Sequence, residues 1–289
     1  MIAHNGKPIT IAMRNRKPIN LIARNGKAMF GELEDLRLYG ISHAAKAAII
    51  AEYGDVVWQD TRDYAKAHPA IVPFINQDPH LAPYLEGDFR YYLDARDGLQ
   101  DGLWVDRFNP AIGWQPQGNC KHTGDGFTLS NTGNATMYMN QGKLYDLGNH
   151  FKVVVEFTAN ADAFGMDFGS VTSTDKNISF QAANGFAEMN WKMQGNNSNP
   201  GVKNAYSPMT AGRHSLVWEI RDAGNGYDFL RFILDGVAYD GSAIIPQATN
   251  FGGYRDWADT NFYMGRGVAG NQYCPTDGTI HKMLIFVLD

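Results

Sequence analysis

The chain is predicted to be mainly β: a two-sheet antiparallel jelly-roll sandwich, preceded by a short β-repeat arm and a small helical connector. Three observations carry that expectation. Composition is the first: 289 residues with 44% apolar content, 12% aromatics and 31 glycines suit a large core interrupted by many turns, and such a composition excludes a disordered chain. The second is a succession of short runs with period-two apolar alternation from Asp88 onward, each bounded by turn residues. The third is Arg213–Tyr239, RHSLVWEIRDAGNGYDFLRFILDGVAY, where Leu216, Trp218 and Ile220 alternate with Val217, Glu219 and Arg221. After AGNG at 223–226, Leu230, Phe232 and Leu234 alternate with Arg231 and Ile233, and Asp235-Gly236 turns the chain again. This pattern is a three-strand meander with Trp218 and Phe232 on its core face.

Residues 1–31 form the arm. IAHNGKPITI, AMRNRKPINL and IARNGKAMFG repeat with a period of ten, keeping Asn5, Asn15 and Asn25 in register with Lys7, Lys17 and Lys27. Asn-Gly at 5–6 and 25–26 is a hairpin-turn signal, so each repeat is expected to supply one strand and one turn of a meander. The arm holds Lys7, Arg14, Arg16, Lys17, Arg24 and Lys27 and no carboxylate, leaving 19 cations against 30 carboxylates in the rest of the chain. A basic arm on an acidic body is a statement about partners. A single 30-residue meander buries too little to stand alone, so the arm is expected to need a partner surface.

Residues 32–87 read as the helical connector. Ile41–Tyr53 has apolar residues at helical spacing, with Ser42 as N-cap and Gly54 as terminator; Val56–Ala67 is a second helix closed by Pro69. Pro73, Pro79 and Pro83 predict short turns up to Gly87. The sandwich then occupies 88–289. Its strands are expected at Phe89–Leu93, Gly126–Leu129, Ala135–Met139, His150–Phe157, Gly165–Phe168, Ile178–Ala182, Glu188–Met193, the meander, Asn261–Gly265 and Thr279–Leu288. No apolar stretch of 7–15 residues marks a secretion signal, and no run approaches a membrane span. Cys120 and Cys274 are the only cysteines. They read as two free thiols, with a disulfide as the alternative.

Several landmarks of residues 88–289 resemble the concanavalin A-like lectin/glucanase superfamily in its laminin G-like form. YYLDARDG and GLWVDRF are similar to its first strand and the turn after it. FKVVVEFTA is similar to its central strand, and NFYMGRG with DGTIHKMLIFVLD to its closing segment. The resemblance implies a jelly roll and a choice between sugar binding and glucanase chemistry. Retaining glucanases of this superfamily carry an E-x-D-x-(x)-E run, whose two glutamates must lie ~5–5.5 Å apart. Here Glu156 stands alone on the central strand, and Glu188 and Glu219 are single glutamates on other strands. Glu156 and Glu219 are read as solvent-facing, and the chain is expected not to be an enzyme.

Other catalytic and metal motifs are missing: G-x-S-x-G, H-E-x-x-H and C-x-x-C do not occur. The eight histidines are scattered and read as surface or satisfied core residues. No cofactor is expected. Calcium remains the alternative, since Asp94, Asp97, Asp101 and Asp106 cluster near the first strand and Ca²⁺ takes six to eight oxygen ligands; the other reading is a solvated acidic edge. For sugar binding two loops combine aromatic faces with polar side chains: Trp191, Asn196, Asn197, Asn204 and Tyr206 in one, and Tyr254, Arg255, Asp256 and Trp257 in the other. The same loops could equally be solvated, with their aromatics packed on the rim.

These readings lead to one expectation. The chain is read as a bacteriophage virion protein (head fibre, capsid decoration or tail fibre), made in the host cytoplasm and carried on the particle. Its C-terminal domain would bind host-surface or mucosal glycans. Its arm residues Lys7, Arg14, Arg16, Lys17, Arg24 and Lys27 would bind a capsid or tail protein, and the chain would be a homotrimer. Nucleic acid is a poorer fit for the arm, which has few aromatics for stacking, and no membrane partner is expected. The alternatives are a glucanase-type enzyme on the same fold and a cellular carbohydrate-binding lectin.

Overall fold

The computed structural model describes residues 2–4, 7–9, 13–14, 17–18, 22–24, 27–30, 40–129, 136–139, 150–159, 163–169, 176–183, 186–193, 202–224, 226–239, 244–246, 263–264 and 278–288. The chain divides into two compact units, Met1–Glu86 and Gly87–Asp289.

In the first unit each ten-residue repeat closes on itself. β1 (Ile2–His4) pairs with β2 (Lys7–Ile9), β3 (Met13–Arg14) with β4 (Lys17–Pro18), and β5 (Ile22–Arg24) with β6 (Lys27–Phe30). The innermost register pairs are His4↔Lys7, Arg14↔Lys17 and Arg24↔Lys27. Each repeat therefore contributes two strands of a separate hairpin, where the sequence predicts one strand of a shared meander. A two-residue loop joins the nearest partners at the lowest closure cost, which favours pairing inside the repeat.

Helix α1 (His43–Ala67) follows, interrupted at Gly54, whose φ of 87° and ψ of 174° are non-helical. Ser42 caps it by accepting the Ala45 amide at 3.1 Å, and Asn76 pins the entry by accepting from Ser42 N at 2.6 Å and donating to Gly40 O at 3.0 Å. A Pro at the first turn opens α2 (Val72–Gln77). Pro79–Tyr84 forms a short 3-10 segment capped by Asp78. Ile41, Ala45, Ile49, Trp58, Ala65, Ile71, Ile75, Leu81 and Ala82 are the buried apolar residues of this helical part.

The second unit is the jelly roll. Its strands begin with β7 (Asp88–Asp94), β8 (Trp104–Val105), β9 (Gly113–Gln117), β10 (Lys121–His122), β11 (Phe127–Leu129) and β12 (Thr136–Met139). They continue with β13 (Phe151–Ala159), β14 (Ala163–Gly169), β15 (Lys176–Ala183), β16 (Phe186–Met193), β17 (Val202–Pro208) and β18 (Gly212–Gly224). β19 (Tyr227–Leu234), β20 (Val237–Tyr239), β21 (Ile244–Pro246), β22 (Tyr263–Met264) and β23 (Gly278–Val287) complete the set. A nine-stranded sheet has the order β10-β11-β23-β13-β18-β19-β20, with β7 also paired to β23 and β21 to β19. Two four-stranded sheets follow the orders β22-β12-β9-β8 and β14-β15-β16-β17. All the strand pairings are antiparallel.

The core lies where the alternation places it. Phe151, Val153, Val155 and Phe157 of β13 join Leu216, Trp218 and Ile220 of β18 and Phe232 of β19. Trp104, Trp114 and Met137 meet them from the sheet of β8, β9 and β12. Each such side chain, fully removed from water, contributes about 1.5–3 kcal/mol. Part of the opposite face of the nine-stranded sheet is also buried. Val154, Leu284 and Phe286 are fully buried there, and Lys152, Glu219 and Lys282 are buried beside them. Runs such as VVV at 153–155 and MLIFV at 283–287 are the mark of strands covered on both sides.

Candidate functional site

The four-stranded sheet β14-β15-β16-β17 sorts its residues by face. Directly opposed residues of antiparallel strands share a face, and alternate residues change face. One face holds the rows Phe164–Ala182–Ala187–Ser207, Met166–Phe180–Met189–Ala205 and Phe168–Ile178–Trp191–Lys203. The other holds Gly165–Gln181–Glu188–Tyr206, Asp167–Ser179–Asn190–Asn204 and Gly169–Asn177–Lys192–Val202. The first is almost wholly apolar. The second brings the positions of Gln181, Glu188 and Tyr206 into the row next to those of Asp167, Ser179, Asn190 and Asn204. A ligand rich in hydroxyls needs donors and acceptors in such close array, with an aromatic ring to cover its C–H faces.

This register divides the first predicted sugar loop. Asn204 and Tyr206 occupy the polar face, whereas Trp191 occupies a position in the apolar rows. Asn196, Asn197, Tyr254, Arg255, Asp256 and Trp257 lie outside the described residues, as does Arg16 of the arm. Lys7, Arg14, Lys17, Arg24 and Lys27 fall on the hairpin strands. Asp167, Ser179, Gln181 and Asn190 were not singled out from sequence. Their signal was present, because MDF at 166–168, ISFQ at 178–181 and EMNW at 188–191 alternate polar with apolar residues.

Glu156 and Glu219 depart from the solvent-facing expectation. Glu219 is 1% exposed and paired to Arg221 at 2.8 Å and Arg231 at 2.5 Å. Glu156 meets Lys282 at 3.3 Å and Arg213 at 3.2 Å. Both sit on the second face of the nine-stranded sheet, and the burial of Glu219 there requires its carboxylate to be paired. The cross-strand register supplies the partners, with Glu219 opposite Arg231 and Glu156 opposite Lys282.

The acidic cluster near the first strand is likewise occupied. Asp94 is buried and accepts from Arg96 N at 3.0 Å and Arg96 Nε at 2.9 Å, and Arg107 stands 3.4 Å away. Burial alone would raise its carboxyl, but the hydrogen bonds from Arg96 and the charges of Arg96 and Arg107 outweigh it and hold it below 3.8. Arg107 also pairs with Asp97, donating from its terminal nitrogen at 2.7 Å, and stacks over the Tyr92 ring at 4.5 Å. Asp106 accepts the Tyr92 amide at 2.7 Å and the Asn109 amide at 2.9 Å. Its carboxyl is nonetheless pushed up to about 6, because desolvation by burial exceeds what those amides return. Asp101 occupies a turn at φ 50°. Among the described residues no group of three or more His, Cys, Asp or Glu side chains is placed to hold a metal ion.

The described histidines of the sandwich are held by the protein. His214 meets Asp235 Oδ2 at 2.8 Å and Thr210 O at 2.7 Å. His281 meets Thr158 Oγ1 at 2.7 Å and Asp125 O at 2.9 Å, and His122 meets Ala95 O at 2.8 Å. Cys120 is a buried free thiol whose pKa burial pushes up to about 12; Cys274 lies outside the described residues.

No protein-family model matches this chain, and no curated protein matches it either. Among solved structures it is similar to the receptor-binding domain of botulinum neurotoxin D, at 12% identity over 69% of this chain and 49% of that one, with a TM-score of 0.45. It is also similar to an endo-1,3-beta-glucanase from Streptomyces sioyaensis, at 12% identity over 61% of this chain and 87% of that one, TM-score 0.41. A third is the CBM40 of the Ruminococcus gnavus IT-sialidase, at 16% identity over 56% and 89% of the two chains, TM-score 0.38. The chain spans about half the length of the neurotoxin domains it matches. The jelly-roll assignment rests on the strand order and core described above.

Proposed function

We propose that the chain is a non-enzymatic recognition protein that binds glycans through the polar rows of β14–β17. The observation that carries this reading is the register: Gln181, Glu188 and Tyr206 lie beside Asp167, Ser179, Asn190 and Asn204 on one face. Amides and carboxylates in that array bond vicinal hydroxyls, and Tyr206 supplies the ring. Catalysis draws no comparable support. Glu188 and Asp167 are two strand spacings apart, about 10 Å across the sheet, and a row apart along it. That is wider than the retaining geometry of ~5–5.5 Å.

The arm supports the remainder of the proposal. Three self-closed basic hairpins suit attachment to a partner. The sandwich is then carried as a homotrimeric fibre or decoration protein of a bacteriophage particle, with a capsid or tail protein holding the arm. Binding of the full-length chain to a glycan array tests the recognition half. Tyr206→Ala and Asn190→Ala are expected to abolish the signal with the melting temperature preserved, whereas Trp191→Ala is expected to lower stability. Silence of the folded protein across the array would overturn the glycan reading. Light scattering tests the oligomer, with a monomer as the contrary result.

A further inference from the structure

The three hairpins share a feature that the sequence repeat alone does not define. Their innermost register pairs are His4↔Lys7, Arg14↔Lys17 and Arg24↔Lys27. Five of those six positions hold Lys or Arg, and the sixth is His. Residues opposed across an antiparallel pair have Cβ atoms about 5 Å apart, and like charges placed there destabilise the pairing. The arm contains no carboxylate to offset them. A hairpin built this way gains stability when an anion bridges the pair, so its chemistry favours an acidic partner.

The positions nearby narrow the class of partner. Ile2 shares a face with His4 and Ile9 with Lys7 in the first hairpin, and Ile22 with Arg24 in the third. Each of those faces thus places an apolar position beside a basic one. Phe30 is the only Phe, Tyr or Trp in the first 31 residues, so no platform for stacking bases is present. We propose that the three hairpins dock an acidic protein surface, the second and third each offering a cross-strand cation pair to its carboxylates and the first offering Lys7 beside His4. The proposal rests on the reading of the arm as an anchor and specifies what it holds.

The test uses the full-length chain with short poly-L-glutamate as the probe and poly-L-glutamine as the uncharged control. Parallel arms present random-sequence duplex DNA and phosphatidylserine vesicles. Poly-L-glutamate is expected to bind at low salt, to weaken as salt screens the contact, and to lose up to about fivefold in affinity per cation removed. The variant with Lys7→Glu, Lys17→Glu and Lys27→Glu is expected to lose binding while the sandwich melts unchanged. Equal binding of the two polypeptides, unchanged binding by the triple variant, or tighter binding of duplex or vesicles would each overturn the proposal. Deletion of residues 1–31 separates this from the anchor reading. If deletion disrupts assembly but charge reversal does not, the cation-pair proposal falls and the anchor stands; if deletion leaves assembly intact, the anchor reading itself fails.

Discussion

Asp106 takes the Tyr92 amide on one oxygen and the Asn109 amide on the other, with 1% of its surface exposed. Asparagine keeps an acceptor for one amide but turns an N–H donor toward the second. Asp106→Asn is therefore expected to destabilise the sandwich by about 1–3 kcal/mol in urea melts. The pH dependence follows from the direction of the shift. With a folded pKa near 6 against 3.8, the stability gained from its protonated form is fully present below 3.8 and lost as pH rises to about 6. Asp94 acts in the opposite sense: its lowered pKa adds stability above 3.8 that disappears as pH falls through the folded value. Titrating the unfolding free energy of the wild type and of Asp106→Asn should remove the first slope and leave the second. Cys120 offers a separate check. Its buried, raised thiol is expected to resist maleimide at neutral pH until the protein unfolds.

Elements explain both what the sequence disclosed and what it hid. The meander was legible because Trp218 and Phe232 alternate with charged neighbours, and the helical entry because Ser42 and Gly54 punctuate it. The pairing partner of each arm strand was not legible, since a ten-residue period is compatible with a shared meander and with separate hairpins. Two-sided burial was misjudged at Glu219 for a related reason: alternation identifies two faces but not whether the second is covered. The polar rows of β14–β17 were visible as alternation in three separate strands. Their union into one face depends on register, which no single strand encodes. Two predictions belong at this scale. Glu219→Ala removes the buried carboxylate that pairs with the partly exposed Arg221 and Arg231 and is expected to cost about 1–3 kcal/mol, because both guanidinium groups lose their charged hydrogen-bond acceptor. Gly54→Ala meets no atom within 4 Å, yet its φ of 87° at ψ 174° is glycine-only backbone. It is expected to lower the stability of the helical unit by about 1–3 kcal/mol in thermal unfolding monitored by circular dichroism.

For the whole molecule, the two units have different bases of stability. The sandwich carries its own continuous core of β7, β8, β9, β11, β13, β18, β19 and β23 residues. A fragment of residues 87–289 is therefore expected to refold alone with one cooperative urea transition. Several small transitions, or none, would contradict that independence.

The strand order also sets a schedule. β23 sits in the interior of the nine-stranded sheet, between β13 on one side and β11 and β7 on the other, yet it is the last of the sandwich strands to be synthesised. Its register joins Thr279 to Thr128 and Val287 to Asp88, contacts that span most of the unit. Until those ten residues leave the ribosome, β13 lacks one neighbour and β7 has none in the sheet. The arm hairpins close within ten residues and need not wait, since short loops form on a timescale of microseconds. Synthesis thus delivers the whole basic arm ahead of a sandwich that closes only once β23 is added. If the arm docks an acidic surface as proposed, a nascent chain can engage it while the sandwich is still unfolded, which makes the order of attachment and folding a property of strand placement.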